Sequence, residues 1–316
     1  MLSRVADAIY WASRYVERAE NVARFIDVNL NLMLDTPSGQ RMSWAPLVQT
    51  TGDQEWFRKN YGEPSKEAVT QFLTFDRQYP NSILSAVTAA RDNAQTVRDI
   101  ISREMWEELN GLYLFVKDAA RCASSFAPEA MNDLYKRVKL AGNYYEGVTN
   151  ATLSRGEAWH FARLGRMIER ADKTSRILDV KYFILLPAAR DIGTTIDQVG
   201  WTALLNSASA LQMYRQRFHV IDPAHVAEFL LLDRNFPRSI QYCVMAALES
   251  LHAISNSPTQ SYANEAERRL GQLRANIDYA KIEQVMDSGL HEYLDNLQGS
   301  LNEIGTAVAQ RFFNPA

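Results

Sequence analysis

The sequence predicts an all-α protein, a helical bundle made of two tandem, diverged copies of one multi-helix unit related by an approximate two-fold. Three observations carry that expectation. Apolar residues recur at helical spacing through every long segment, no stretch sustains a period-two alternation of β-branched residues, and blocks from the first half return in the same order in the second. With 316 residues and 47% apolar content the chain can bury a large core.

The first element is read from Val5, Ile9, Ala12, Val16, Ala19, Ala23, Ile26, Leu30 and Met33, which line one stripe of a helix over 3–34. Thr36-Pro37-Ser38-Gly39 should end it, because proline cannot continue the ladder. Further breaks are expected at Tyr61-Gly62-Glu63-Pro64-Ser65, at Gln78-Tyr79-Pro80, near Pro128, and from Thr152 to Gly156. Ser154 with Glu157 has the form of a capping box for a helix running to Asp179. Later breaks fall at Pro187, at Phe236-Pro237 and over Ser255 to Pro258, leaving two helices to the end. Asp222-Pro223 reads as a cap followed by a first-turn proline.

The duplication rests on three matches. Arg14-Tyr-Val-Glu17-Arg18-Ala19-Glu20, Arg24 and Asp27-Val28 pair with Arg166-Met-Ile-Glu169-Arg170-Ala171-Asp172, Arg176 and Asp179-Val180 at an offset of 152. Trp44, Leu47 and Phe57-Arg58 pair with Trp201, Leu204 and Tyr214-Arg215 at 157. Val69, Phe72-Leu73, Asp76-Arg77, Tyr79-Pro80 and Ser82-Ile83 pair with Val226, Phe229-Leu230, Asp233-Arg234, Phe236-Pro237 and Ser239-Ile240, again at 157. One length change after the first helix of each copy reconciles them, giving repeats at 1–151 and 152–316. The stretches after Ser102 and Ser255 match poorly.

Composition narrows the function classes. The balance of 34 basic against 37 acidic residues gives no global field for nucleic acid or an anionic membrane. No signal peptide or membrane span is expected, and Cys122 and Cys243 read as reduced, buried structural thiols, so a cytoplasmic location is expected. His160, His219, His225, His252 and His291 lack metal-ligand spacing, and phosphate loops, dinucleotide turns and nucleophile elbows are absent, so no metal or cofactor is expected.

On a helical wheel, Tyr10, Arg14, Glu17, Arg18, Asn21 and Arg24 share one side of the first helix, and Arg166, Glu169, Arg170, Lys173 and Arg176 share one side of its counterpart. Each row is a candidate carboxylate or phosphate site, since guanidinium groups give such ligands paired hydrogen bonds. Glu17 and Glu169 would orient the arginines, or act as general base towards a substrate amine. A solvated or salt-bridged face would look the same. Asp233 and Arg234, with Asp76 and Arg77, form a second polar cluster that could equally be capping and turn chemistry. Trp44, Trp106, Trp159 and Trp201 read as core.

These residues resemble the bacterial alpha-E domain family. The opening Met1-Leu2-Ser3-Arg4-Val5-Ala6-Asp7, then Tyr10-Trp11, Arg14-Tyr15 and Glu17-Arg18-Ala19-Glu20-Asn21 carry the resemblance. Arg91-Asp92-Asn93-Ala94, Arg98, Glu104-Met105-Trp106 and Asn110 look like its middle motif, and Arg166 to Asp179 and Leu232 to Ser239 like its later ones. Ser13 stands where the family is expected to have glycine. The resemblance covers essentially the whole chain and implies an all-helical protein encoded beside, or fused to, a circularly permuted ATP-grasp ligase and a transglutaminase-like protein. In some genomes a proteasome-like peptidase lies nearby. That setting implies the making and removing of amide bonds. The leading expectation is therefore an accessory, ligand-binding subunit of such a system. An enzyme with a Glu/Arg site between the repeats and a non-catalytic scaffold are the rivals, and burial of the two rows discriminates among them.

Overall fold

In the computed structural model, residues 1–35, 44–122, 128–184 and 195–314 are described. Among them lie fifteen α-helices, closed by a π-helical turn at Ala309–Phe313, and no strand. The chain divides into two compact units, Met1–Arg166 and Met167–Ala316, with the boundary inside one long helix. No helix among the described residues is long and apolar enough to cross a membrane.

The first unit is organised around α1 (Ser3–Asp35), one residue longer than the apolar stripe predicts. Three short helices, α2 (Ala45–Gln49), α3 (Gln54–Tyr61) and α4 (Lys66–Thr74), lead into α5 (Ile83–Thr96), α6 (Arg103–Arg121) and α7 (Pro128–Thr152). Helices α1, α5, α6 and α7 pack in a closed ring, each on the next, so the unit is a four-helix bundle. Its core is filled by Ile9, Val16, Ala23 and Ile26 from α1, Ile83, Val87 and Ala90 from α5, Met105, Leu109 and Val116 from α6, and Leu134, Tyr135 and Val138 from α7. Caps fix the starts. Ser65, Ser82 and Ser102 each accept the N–H three residues on.

The expected breaks at Gly62 and Pro80 are present, and Gly62 takes φ 75°, the left-handed region that glycine enters at no cost. The break between α5 and α6 at Val97–Ser102 has no proline or glycine to announce it. The Ser154 capping box does not form. Helix α8 (Glu157–Ile184) opens after a turn at Arg155–Gly156, so Gly156 and not Ser154 precedes it. The turn expected at Thr36-Pro37-Ser38-Gly39 and the break at Pro187 lie outside the described residues.

The second unit contains the rest of α8, then α9 (Thr195–Ser207), α10 (Leu211–Arg217), α11 (Pro223–Leu232), α12 (Ile240–Ser255), α13 (Glu265–Asp278), α14 (Ile282–Ser288) and α15 (Leu290–Val308). Three helices follow the break at Ser255–Pro258, not two, because Gly289 at φ 100° separates α14 from α15. Asp222 caps α11 as expected, its Oδ1 accepting from Ala224 and His225 N–H with Pro223 in the first turn. Cys243 is buried, but Cys122 is exposed at the C-terminal end of α6, so the expectation of two buried thiols holds for one.

Each unit has its own aromatic knot. In the first, Phe72 stacks on Tyr79 at 4.0 Å, Phe57 meets Phe72 at 5.1 Å, and Tyr61 lies 5.3 Å from Phe57. In the second, Phe229 stacks on Phe236 at 4.9 Å, Tyr214 meets Phe229 at 5.7 Å, and Phe218 lies 5.1 Å from Tyr214. All four positions are separated by the same 157 residues.

Candidate functional site

Helix α1 packs against both α5 and α7, which leaves its charged row little access to water. Glu17, Glu20 and Asn21 are each 2% exposed and Arg24 is 8% exposed, while Arg14 and Arg18 keep intermediate access. The row is therefore not a solvated face. Its charges are satisfied largely along the helix. Asn21 Nδ2 donates to Glu17 Oε1 at 2.8 Å, and Arg24 grips Glu20 Oε1 through Nε at 2.9 Å and Nη2 at 2.6 Å. Arg14 donates to the Tyr10 hydroxyl at 3.2 Å and lies over the Trp11 ring at 4.8 Å. Arg18 lies over Tyr15 at 5.2 Å and donates to Asn81 Oδ1 at 2.9 Å. Ser13 is buried in the same helix.

The counterpart row on α8 is buried more deeply. Glu169 is 0% exposed, Arg170 3% and Arg166 5%. Arg166 pairs with Glu146 of α7 at 3.4 Å inside the first unit. In the second unit Lys173 lies 3.6 Å from Glu169 and 2.9 Å from Asp172, whose carboxylate also receives Arg176 Nε at 3.0 Å. Burial pushes the Asp172 carboxyl upward, but Lys173 and Arg176 outweigh it and hold the group below the ordinary carboxylate value. Arg170 Nη1 reaches the Pro237 carbonyl at 3.5 Å, and Thr174 donates to the Arg238 carbonyl at 2.9 Å.

The two polar clusters expected from the sequence thus meet in each unit. The arginines of the Glu-Arg pairs on α1 and α8 dock on the proline turn that follows the Asp-Arg pair: Arg18 on Asn81, and Arg170 on Pro237. Those turns are built alike. Asp76 Oδ1 accepts from the N–H groups of Gln78 and Tyr79 at 2.7 and 3.3 Å, and Asp233 Oδ1 from Asn235 and Phe236, both at 2.8 Å. The Asp76 carbonyl accepts Ser82 Oγ at 2.6 Å, and the Asp233 carbonyl accepts Ser239 Oγ. The remaining carboxylate oxygen is filled differently, by the Tyr61 hydroxyl at 2.7 Å in one turn and by Arg217 Nη1 at 2.7 Å in the other. Asp233 is therefore engaged within the protein on both oxygens. Arg234 pairs with Asp278 at 3.0 Å.

Trp44 and Trp201 are core, as read. Trp106 and Trp159 are only partly covered, each flanked by two arginines, Arg91 with Arg98 and Arg155 with Arg163. No group of three histidine, cysteine or acidic side chains converges as a metal site among the described residues. Sequence reasoning missed Asn81 and Thr174, which complete the docking of the first helices on the turns. Their only signal is adjacency to Pro80 and to the charged row.

Relatives are found among curated mycobacterial proteins. The chain is 26% identical over 96% of its length to the uncharacterized protein Rv2567 of Mycobacterium tuberculosis, and matches the uncharacterized protein Mb2597 of Mycobacterium bovis to the same extent. It spans 36% of those relatives' own length. No solved structure matches. A family model described as a predicted alpha-helical domain with a conserved ER motif matches residues 1–313, and Glu-Arg occurs at 17–18, 169–170 and 267–268. The chain belongs to the Alpha-E family.

Proposed function

We propose that this protein is an accessory, ligand-binding subunit of an ATP-grasp-linked system for modifying peptides or amide bonds, working in the cytoplasm beside an ATP-grasp ligase and a transglutaminase-like protein. One observation carries the reading: the carboxylates of the charged rows are shut away while Arg14 and Arg18 keep contact with solvent. Glu17 and Glu169 then act as ballast that fixes the helices, and Arg14 and Arg18 are the groups that an incoming carboxylate or partner can reach. A general base must approach the proton that it abstracts. Glutamates with 2% and 0% exposure do not invite that role, so the enzyme reading is the weaker one. Neither a nucleic acid nor a membrane enters the proposal.

The repeat reading belongs to the same proposal. Residues 1–151 and 152–316 are taken as diverged copies with an approximate two-fold relation, supported by the matching aromatic knots and Asp turns. The mycobacterial relatives extend well beyond the matched part, as fusion to a partner would produce.

Co-expression with the ligase and the transglutaminase-like protein encoded alongside tests the reading. The unaltered chain should co-purify with at least one of them, and Arg14→Ala with Arg18→Ala should lose that association while remaining folded by circular dichroism. Retention of the complex by that double variant would leave the scaffold reading in place of this one.

A further inference from the structure

The two Asp-Arg turns differ in what lies in front of the arginine. In the second unit Arg234 Nη2 meets Asp278 Oδ1 at 3.0 Å, Gln241 Nε2 donates to the same oxygen at 2.7 Å, and Arg274 Nε approaches Oδ2 at 3.2 Å. Asp278 is the last residue of α13, the helix that packs on α12. An internal carboxylate thus sits in a nest of two guanidinium groups and an amide.

In the first unit the corresponding helix is α6, which packs on α5 and is likewise capped by a polar residue at its start. Here, among the described residues, no carboxylate pairs with Arg77. A groove of about 480 Å³ opens instead, lined by Arg77, Leu84, Thr88, Asp92, Tyr113 and Lys117 among others. Leu84 holds the place of Gln241, 157 residues earlier, and Lys117 of α6 lines the same groove as Arg77. Among the described residues the exposed Arg77 guanidinium makes no hydrogen bond or ion pair, and neither does the Tyr113 hydroxyl. Lys117 lies over the face of Tyr113 at 5.2 Å and, among the described residues, makes no ion pair. The one acid in the lining, Asp92, is paired with Arg91 at 3.0 Å. Two cations without a counter-ion therefore face a groove with an apolar wall of Leu84 and the Tyr113 ring.

We infer that this groove binds a small carboxylate with a short apolar body, the size of an N-blocked amino acid, its carboxylate between Arg77 and Lys117 where the other unit supplies Asp278 from its own chain. The site stands apart from the Glu-Arg rows, so its failure leaves the accessory-subunit reading untouched. An aliphatic side chain would lie along Leu84, and the Tyr113 hydroxyl and Thr88 lie within the same lining to meet polar atoms of the ligand.

Saturation-transfer NMR on the full chain, with N-acetyl-leucine and its neutral analogue N-acetyl-leucinamide as probes, tests the site. The acid should bind and the amide should bind roughly tenfold or more weakly, since the charge-assisted contacts are lost. Arg77→Ala should weaken the acid by a similar factor, and Arg234→Ala should leave it unchanged, because that arginine serves an internal carboxylate. Lys117→Asp supplies the first unit with a carboxylate of its own, and should abolish binding of the acid while raising the melting temperature. Equal binding of acid and amide, no binding of the acid at millimolar concentration, competition by inorganic phosphate stronger than by the acid, or indifference to Arg77→Ala would each overturn the inference.

Discussion

At Asp233 one carboxylate orders the turn through two N–H groups and holds Arg217 with its other oxygen, and the residue's own carbonyl receives Ser239. Replacing its side chain by a methyl removes the acceptor of the two N–H groups, of which that of Phe236 is buried, and of Arg217, and leaves the carbonyl that receives Ser239 in place. Asp233→Ala should cost roughly 2–3 kcal/mol in urea unfolding, and Asp76→Ala a comparable amount. The exposed Arg77, by contrast, should be replaceable by alanine within about 0.5 kcal/mol. The tyrosines give a pH signature. Burial first, then donation to Asp76, raises the Tyr61 hydroxyl above its ordinary value, and burial with donation to Asp53 does the same for Tyr79. A group whose folded value is raised contributes stability that is complete below the unfolded value, near pH 10, and is lost as pH climbs towards the folded one. Thermal melting should therefore be flat on the tyrosines' account up to about pH 9 and fall steeply above pH 10, less steeply in Tyr61→Phe with Tyr79→Phe.

Helix contacts set the next level, and two glycines show how close they are. A Cβ on Gly165 of α8 would overlap the Tyr10 carbonyl oxygen of α1, and one on Gly142 of α7 would overlap the Glu20 carboxylate and approach its Cδ at 2.9 Å. A backbone carbonyl cannot swing aside and a side chain can. Gly165→Ala should thus cost about 2–3 kcal/mol and Gly142→Ala about 1–2, whereas Gly147→Ala, facing open space, should gain up to about 1. Equal effects at the three sites in chemical denaturation would contradict these contacts. Most helices were legible in sequence because an apolar stripe, a serine or aspartate cap, or a proline marks them. The break at Val97–Ser102 was not, since no turn residue marks it, and the Ser154 box misled because a turn through Gly156 starts α8 later than its pattern implies. The charged rows were legible as rows but not as buried ones. A helical wheel shows which side chains share a face, and cannot show that α5 and α7 both lie against α1.

For the whole molecule, the chain belongs to the Alpha-E family, described by a conserved ER motif, and in its packing Arg18 and Arg170 dock on proline turns while Glu17 and Glu169 are buried. Burying an acid without a proportionate ligand is costly, so breaking such a network by removing one charge typically costs about 3–5 kcal/mol. The division of labour proposed above puts framework in the glutamates and recognition in Arg14 and Arg18. The most direct test compares Glu169→Gln with Arg14→Ala/Arg18→Ala in parallel, measuring melting temperature and co-purification with the ligase. A lowered melting temperature with the complex retained is expected for the first, and near-native melting with the complex lost for the second. The opposite pattern, a stable Glu169→Gln protein that has lost the complex beside an arginine variant that keeps it, would contradict it.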